Sequence, residues 1–157
     1  MSKIIEGGAL PEFSLESISG KTINKSDILG KNTLFFIYPK NGTKSCTVEA
    51  KDFSNLKKSF VELGLRVFGI SGDSITNHKK FISKNELDLE LLYDENSNFV
   101  TSVGSWVEKS MYGKKYMGIE RTTILVDKEG QIMKIWRKVR VPEHALNVLA
   151  FAKKELN

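Results

Sequence analysis

A chain of 157 residues, 40% hydrophobic and 27% charged, is expected to fold as one domain, residues 1–157, around a core of ordinary size. No apolar run approaches the roughly 20 residues that span a bilayer. The N-terminal M-S-K-I-I-E-G-G lacks a secretory-signal pattern, and one cysteine argues against a disulfide-stapled secreted module, so a cytoplasmic protein is expected. The net charge of +5 comes without a helix-turn-helix, zinc-finger or single-strand-binding signature, so dispersed surface charge and no nucleic-acid partner are expected, although a basic rim can draw anionic partners.

Along the chain, Phe13 and Leu15, then Gly20, Lys21 and Ile23, predict a small N-terminal hairpin, followed by a short helical turn capped by Ser26. Residues 33–38 (T-L-F-F-I-Y) are continuously apolar, β-branched or aromatic, the pattern of a strand buried on both faces, and Pro39 ends it. Asn41-Gly42 is a turn pair and Thr43 a helix N-cap. Val48, Phe53, Leu56, Phe60 and Leu63 then paint one face of a helix that Gly64 stops. A second buried strand over 65–71 leads to a helix begun by Asp73 or Ser74, a weak strand over 89–93 and a short helix around 96–103. Residues 121–127 and 131–139 flank the tight turn K-E-G. Pro142 opens a last helix with Ala145, Leu146, Leu149 and Ala152 inward. Two β-α units followed by a hairpin and a helix make an α/β fold, a mixed sheet covered on both sides.

The only cysteine, Cys46, falls in the first turn of the predicted 43–63 helix. Unpaired backbone N–H groups and the positive end of the helix dipole favour an anion there, which for cysteine is the nucleophilic thiolate. Lys44 adds to this in the same direction. By position alone Cys46 could equally be a small buried hydrophobe, Thr43 a cap, Pro39 a strand terminator and Arg121 a solvated charge at a strand start.

The neighbourhood says more. The run P-x-x-x-T-x-x-C from Pro39 to Cys46, continued by Glu49 and Phe53, resembles the active-site signature of the peroxiredoxins. The segments G-I-S-G-D-S (69–74), H-K-K-F (78–81), M-Y-G-K-K-Y-M-G-I-E-R-T-T-I-L-V-D (111–127) and I-W-R-K-V (135–139) are similar to the bacterioferritin-comigratory, or Q-type, branch. The resemblance runs from P-E-F-S-L (11–15) to the last helix. It implies a thioredoxin-like fold with an N-terminal hairpin extension and a thiol-dependent peroxidase acting on hydrogen peroxide and organic hydroperoxides. Cys46 would attack the O–O bond and become a sulfenic acid, and Thr43 would bond sulfur and peroxide. Pro39 would wall the thiolate from water, and Arg121 would stabilise thiolate and developing charge. No bound cofactor is implied, and the expected assembly is a monomer or a weak dimer.

Many Q-type members carry a second cysteine five residues after the first, where this chain has Lys51, or on the next helix, at 81–84, where it has none. An intramolecular disulfide is then excluded, and an external thiol (thioredoxin, glutaredoxin or glutathione) is expected to complete the cycle. The alternative is a peroxide sensor or binding protein of the same fold that couples through Cys46 to a protein partner.

Other chemistries find little support. His78 and His144 share no ligand spacing with Cys46, and neither is an obvious base for a cysteine hydrolase; His78 is expected on a solvated helix face and His144 near a helix start. No glycine-rich phosphate loop occurs. Trp106, Tyr112 and Tyr116 are expected to pack a loop near the site, and the basic runs 109–116 and 137–140 to be solvated.

Overall fold

The structure is a computed structural model and describes residues 4–156; Met1 to Lys3 of the N-terminal stretch read above, and Asn157, lie outside the described residues. A seven-stranded mixed sheet is built from β1 (Ser14–Ser17), β2 (Thr22–Asn24), β3 (Asn32–Ile37), β4 (Leu65–Ser71), β5 (Glu90–Tyr93), β8 (Thr122–Val126) and β9 (Ile132–Trp136), in the order β2-β1-β5-β4-β3-β8-β9. Strands β3, β4 and β5 run parallel, and the other pairs are antiparallel. The predicted N-terminal hairpin forms and extends this sheet through β5.

The helices are α1 (Lys25–Ile28), α2 (Lys44–Glu62), α3 (Ile75–Asn85), α4 (Asn98–Ser102), preceded by a 3-10 turn, and α5 (His144–Leu156). Strand β3 is buried on both faces, as its unbroken apolar run demands. Leu34, Phe36 and Tyr38 join a core with Ala50, Phe53 and Phe60 of α2, Phe81 of α3 and Ala145, Val148 and Leu149 of α5. Phe35 and Ile37 point the other way, to Ile28 of α1 and Phe99 and Val100 of α4. Together these two layers give the thioredoxin-like architecture. Within the first, the Phe36 and Phe53 rings stack at 4.5 Å, which seats α2 on the sheet. Gly69 of β4 permits this: a Cβ there would come within 2.7 Å of Leu91 Cδ2 and 2.8 Å of Phe36 Cζ.

Local signals explain most boundaries. Thr43 caps α2, and Gly64, at φ +82°, follows its C-cap as the left-handed residue that lets the chain turn away. Ser74 rather than Asp73 caps α3, its hydroxyl accepting from Asn77 N at 3.2 Å. At the 128–130 turn, Asp127 Oδ1 accepts from the amides of Glu129 and Gln131.

Six expectations are corrected. Asn24, not Ser26, caps α1, its amide donating to Asp27 Oδ2 at 2.7 Å. Val48 is exposed, because the inward stripe of α2 follows Cys46, Glu49, Ala50, Phe53 and Phe60. Leu146 is likewise exposed, since Ala145, Val148, Leu149 and Ala152 hold the inward positions of α5. His78 is fully buried on the inner side of α3 beside Phe81. The segment holding Trp106, Tyr112 and Tyr116 is no loop but a two-stranded hairpin, β6 (Trp106–Met111) and β7 (Lys114–Ile119), with Tyr112 exposed at its tip. The 137–140 run is only partly free: Arg137 donates to the carbonyls of Val103 (2.7 Å) and Gly104 (3.3 Å) after α4.

Candidate active site

Strand β3 delivers the chain at Ile37 to a loop, residues 38–43, and the loop feeds α2, so Cys46 lies at the carboxyl end of a parallel strand, where open α/β sheets gather functional groups. Strand register brings in the partner. Ile37 is paired with Thr122 across the β3–β8 ladder, which sets Arg121, the residue before, at the same edge although 75 residues separate it from Cys46.

The guanidinium does two things there. Nη2 donates to Cys46 Sγ at 3.3 Å, and Nη1 donates to Glu49 Oε1 at 2.6 Å. Cys46 and Glu49 are each about 1% exposed and sit one helical turn apart on the inward face of α2, so one planar fork reaches both. Among the described residues Glu49 Oε2 has no hydrogen-bond partner. Burial pushes the Glu49 carboxyl up to about 7, against the pull of the Arg121 charge. His144, bonded through Nε2 to Thr123 Oγ1 at 2.8 Å, is pushed down to about 4 by burial and then by the positive charge of Arg121.

Thr43 Oγ1 accepts from Cys46 N at 3.4 Å and donates to Lys40 O at 3.3 Å, so one hydroxyl ties the loop to the first turn of α2. Pro39 lies half-buried in that loop. Of the four predicted positions, Thr43 and Arg121 are thus each hydrogen-bonded to Cys46, and Pro39 lies in the same loop.

A second group of side chains holds the loop from below. Tyr38 Oη donates to Asn41 Oδ1 at 2.7 Å, Asn41 Nδ2 lies 3.0 Å from His78 Nδ1, and His78 Nε2 lies 3.0 Å from the Leu92 carbonyl. A carbonyl can only accept, so Nε2 carries the proton and Nδ1 takes the Asn41 amide hydrogen. Burial lowers the His78 pKa and keeps the ring neutral; burial raises that of Tyr38. Asp73 Oδ2 closes the network by accepting from Asn41 N (2.8 Å) and Ser71 Oγ (2.6 Å).

Sequence reasoning gave no site role to Glu49, to Asn41, read only as a turn residue, or to His78, expected on a solvated face. Glu49 had a signal, since it stands in the C-T-x-E run at one-turn spacing from Cys46. The contact of Asn41 with His78, across 37 residues, had none.

Residues 7–135 match the AhpC/TSA family. Peroxiredoxin Bcp of Bacillus subtilis is 41% identical over 143 residues, 91% of each chain. The bacterioferritin comigratory protein of Xanthomonas campestris, solved in trapped-intermediate and ligand complexes that address its alkyl peroxide reduction activity, superposes with a TM-score of 0.88 at 34% identity, covering 92% of each chain. A mutant of Xylella fastidiosa PrxQ superposes with a TM-score of 0.93 at 28% identity over 100% of each. The chain belongs to the AhpC/TSA family of thiol peroxidases, in its Q-type, bacterioferritin-comigratory branch. Cys46 is its one cysteine, so it is a member without a resolving cysteine.

Proposed function

We propose that Cys46 is the peroxidatic nucleophile of a one-cysteine peroxidase. The thiolate attacks the distal oxygen of a hydroperoxide, the O–O bond breaks, Cys46 becomes a sulfenic acid, and the leaving hydroxide or alkoxide takes up a proton to depart as water or alcohol. The observation that carries this is the forked contact of Arg121. A permanently charged guanidinium, held by Glu49 and donating to the sulfur, favours the thiolate before attack and faces the negative charge that builds on the leaving oxygen. Thr43, which accepts from the Cys46 amide, supplies a hydroxyl for the peroxide, and Pro39 screens the thiolate from water.

Glu49 contributes by holding the guanidinium, which would otherwise be free to turn away from the sulfur. An external thiol then reduces the sulfenic acid, because the chain has no second cysteine. Organic hydroperoxides join hydrogen peroxide as expected substrates, as the alkyl peroxide reduction of the Xanthomonas relative suggests. A reducing cytoplasm and a monomeric, single-domain chain complete the reading; no helix among the described residues is long and apolar enough to cross a membrane.

The test is consumption of hydrogen peroxide and an organic hydroperoxide with thioredoxin, glutaredoxin plus glutathione, or dithiothreitol, beside Cys46→Ser. Turnover that disappears in the variant supports the peroxidase and identifies its reductant. Cys46 still reduced after peroxide would exclude it, and a sulfenic acid that persists until one specific protein captures it would favour a sensor.

A further inference from the structure

Next to the loop that carries Thr43 lies an open cleft of about 290 Å³, at the lower edge of the size range of small-molecule sites. One wall is the loop of Lys40, Asn41 and Gly42. The other is a stripe of α3, Asn77, Lys80, Phe81 and Lys84, whose spacing of three and four puts them on one helical face. Lys40 from the loop and Lys80 and Lys84 from the helix are all exposed, and among the described residues none of the three has a carboxylate within salt-bridge distance.

The single acid of the cleft, Asp73, accepts from Asn41 N and Ser71 Oγ through Oδ2, and among the described residues it forms no salt bridge with the lysines. Lys80 and Lys84 stand four residues apart, where like charges repel and an acidic residue would relieve them. The cleft therefore sets three lysines against one carboxylate, an excess of positive charge with no ion pair inside it. It also borders the sulfur's surroundings: Phe81 on its wall belongs to the same buried cluster as Tyr38 and Cys46, and the Lys40 carbonyl takes the Thr43 hydroxyl. Cys46 itself is closed off at 1% exposure, so this loop and the first turn of α2 must move before any thiol reaches it.

We propose that this basic cleft is the docking site for the external reductant, and that the reductant it fits is a small anionic thiol, a sulfhydryl flanked by carboxylates as in glutathione. This deepens, and rests on, the peroxidase reading. The lysines receive the carboxylates and hold the sulfhydryl beside the loop. The thiolate displaces hydroxide from the Cys46 sulfenic acid, giving a mixed disulfide and, after protonation, water. A second thiolate attacks the thiol-derived sulfur of that disulfide, releases the Cys46 thiolate and leaves as the oxidised disulfide of the small thiol.

The experiment oxidises the full chain with one equivalent of hydrogen peroxide, verifies the sulfenic acid by mass, and follows its reduction by glutathione, glutathione diethyl ester and 2-mercaptoethanol, with rates normalised to thiolate. It compares wild type with the Lys40→Gln/Lys80→Gln/Lys84→Gln variant. In wild type at low salt, glutathione should outpace its diester by roughly tenfold, the scale of electrostatic steering. The advantage should shrink in high salt and vanish in the triple variant, while 2-mercaptoethanol and the peroxide step stay unchanged. Equal rates for glutathione and its ester in wild type, or an advantage that survives the triple substitution, would overturn the cleft assignment and leave the peroxidase reading intact. Cys46 that peroxide leaves reduced would overturn both.

Discussion

Two buried polar groups meet at the end of β3, and they are built on opposite rules. Cys46, Glu49 and Arg121 form a charged group in which one oxygen, Glu49 Oε2, is left without a partner. Tyr38, Asn41 and His78 form a chain in which the phenol, both ends of the amide and both ring nitrogens have partners, ending on the Leu92 carbonyl. Each polar group of this chain has at least one partner, and together they hold the loop in place. The charged group keeps spare bonding capacity next to the proposed nucleophile, in a low-dielectric setting where that capacity has large electrostatic consequences. The group proposed to react and the group that positions the loop differ in this: only the first holds a polar atom without a partner among the described residues.

The sharpest way to break this contrast is Arg121→Ala, which removes the guanidinium donor from the sulfur. Peroxide attack, followed by stopped-flow, should slow roughly 10- to 1,000-fold, as loss of a preorganised donor does elsewhere. Arg121→Lys should recover only part of it, because a point charge cannot fork between Glu49 and the sulfur. Unchanged attack would remove Arg121 from the chemistry.

His78→Ala tests the other side. It strands the Asn41 amide hydrogen that His78 Nδ1 accepts, at a cost of about 1–3 kcal/mol for a buried group left unpaired, measurable by denaturant unfolding. Attack should fall far less than in Arg121→Ala; an equal fall would show that the two groups work as one unit.

Stability against pH separates them further. Folded Glu49 keeps its proton to about 7 while its ordinary value is 4.5, so Glu49 favours the folded state at low pH and that contribution is lost as pH rises from 4.5 to 7. His144 acts the other way. Its folded value of about 4 lies below 6.5, so its contribution is full above 6.5 and is lost as pH falls toward 4. The two offset each other in their shared window. Chemical denaturation from pH 4 to 8 should therefore show steeper acid destabilisation in Glu49→Gln and a shallower one in His144→Asn. The smallest effect is expected from Thr43→Ala on stability, about 1 kcal/mol for a lost N-cap, seen as a shift of the unfolding midpoint.

How much of this was legible follows from the kind of signal each part carries. Strand β3 and α2's cap and stop could be read because an unbroken apolar run, a hydroxyl at an N-cap and a glycine at C′ each have one dominant cause. The hairpin of β6 and β7 could not, since W-V-E-K-S-M and K-K-Y-M-G-I are too polar and basic to show a buried face. Val48 was misplaced because Glu49 takes the inward position, and a buried carboxylate is invisible until its arginine, 72 residues on, is in place. Cys46, Thr43 and Arg121 were legible through the motif they share with a family, whereas Asn41 and His78 meet only in the fold.

Gly69 makes the last point. It is a bare position on a strand with no functional group, yet it lies under Phe36, and Phe36 lies under the helix that bears the sulfur. A single methyl there would act as a shim, lifting the ring and with it α2, so the depth at which Cys46 rests is gauged by a hydrogen atom two layers away.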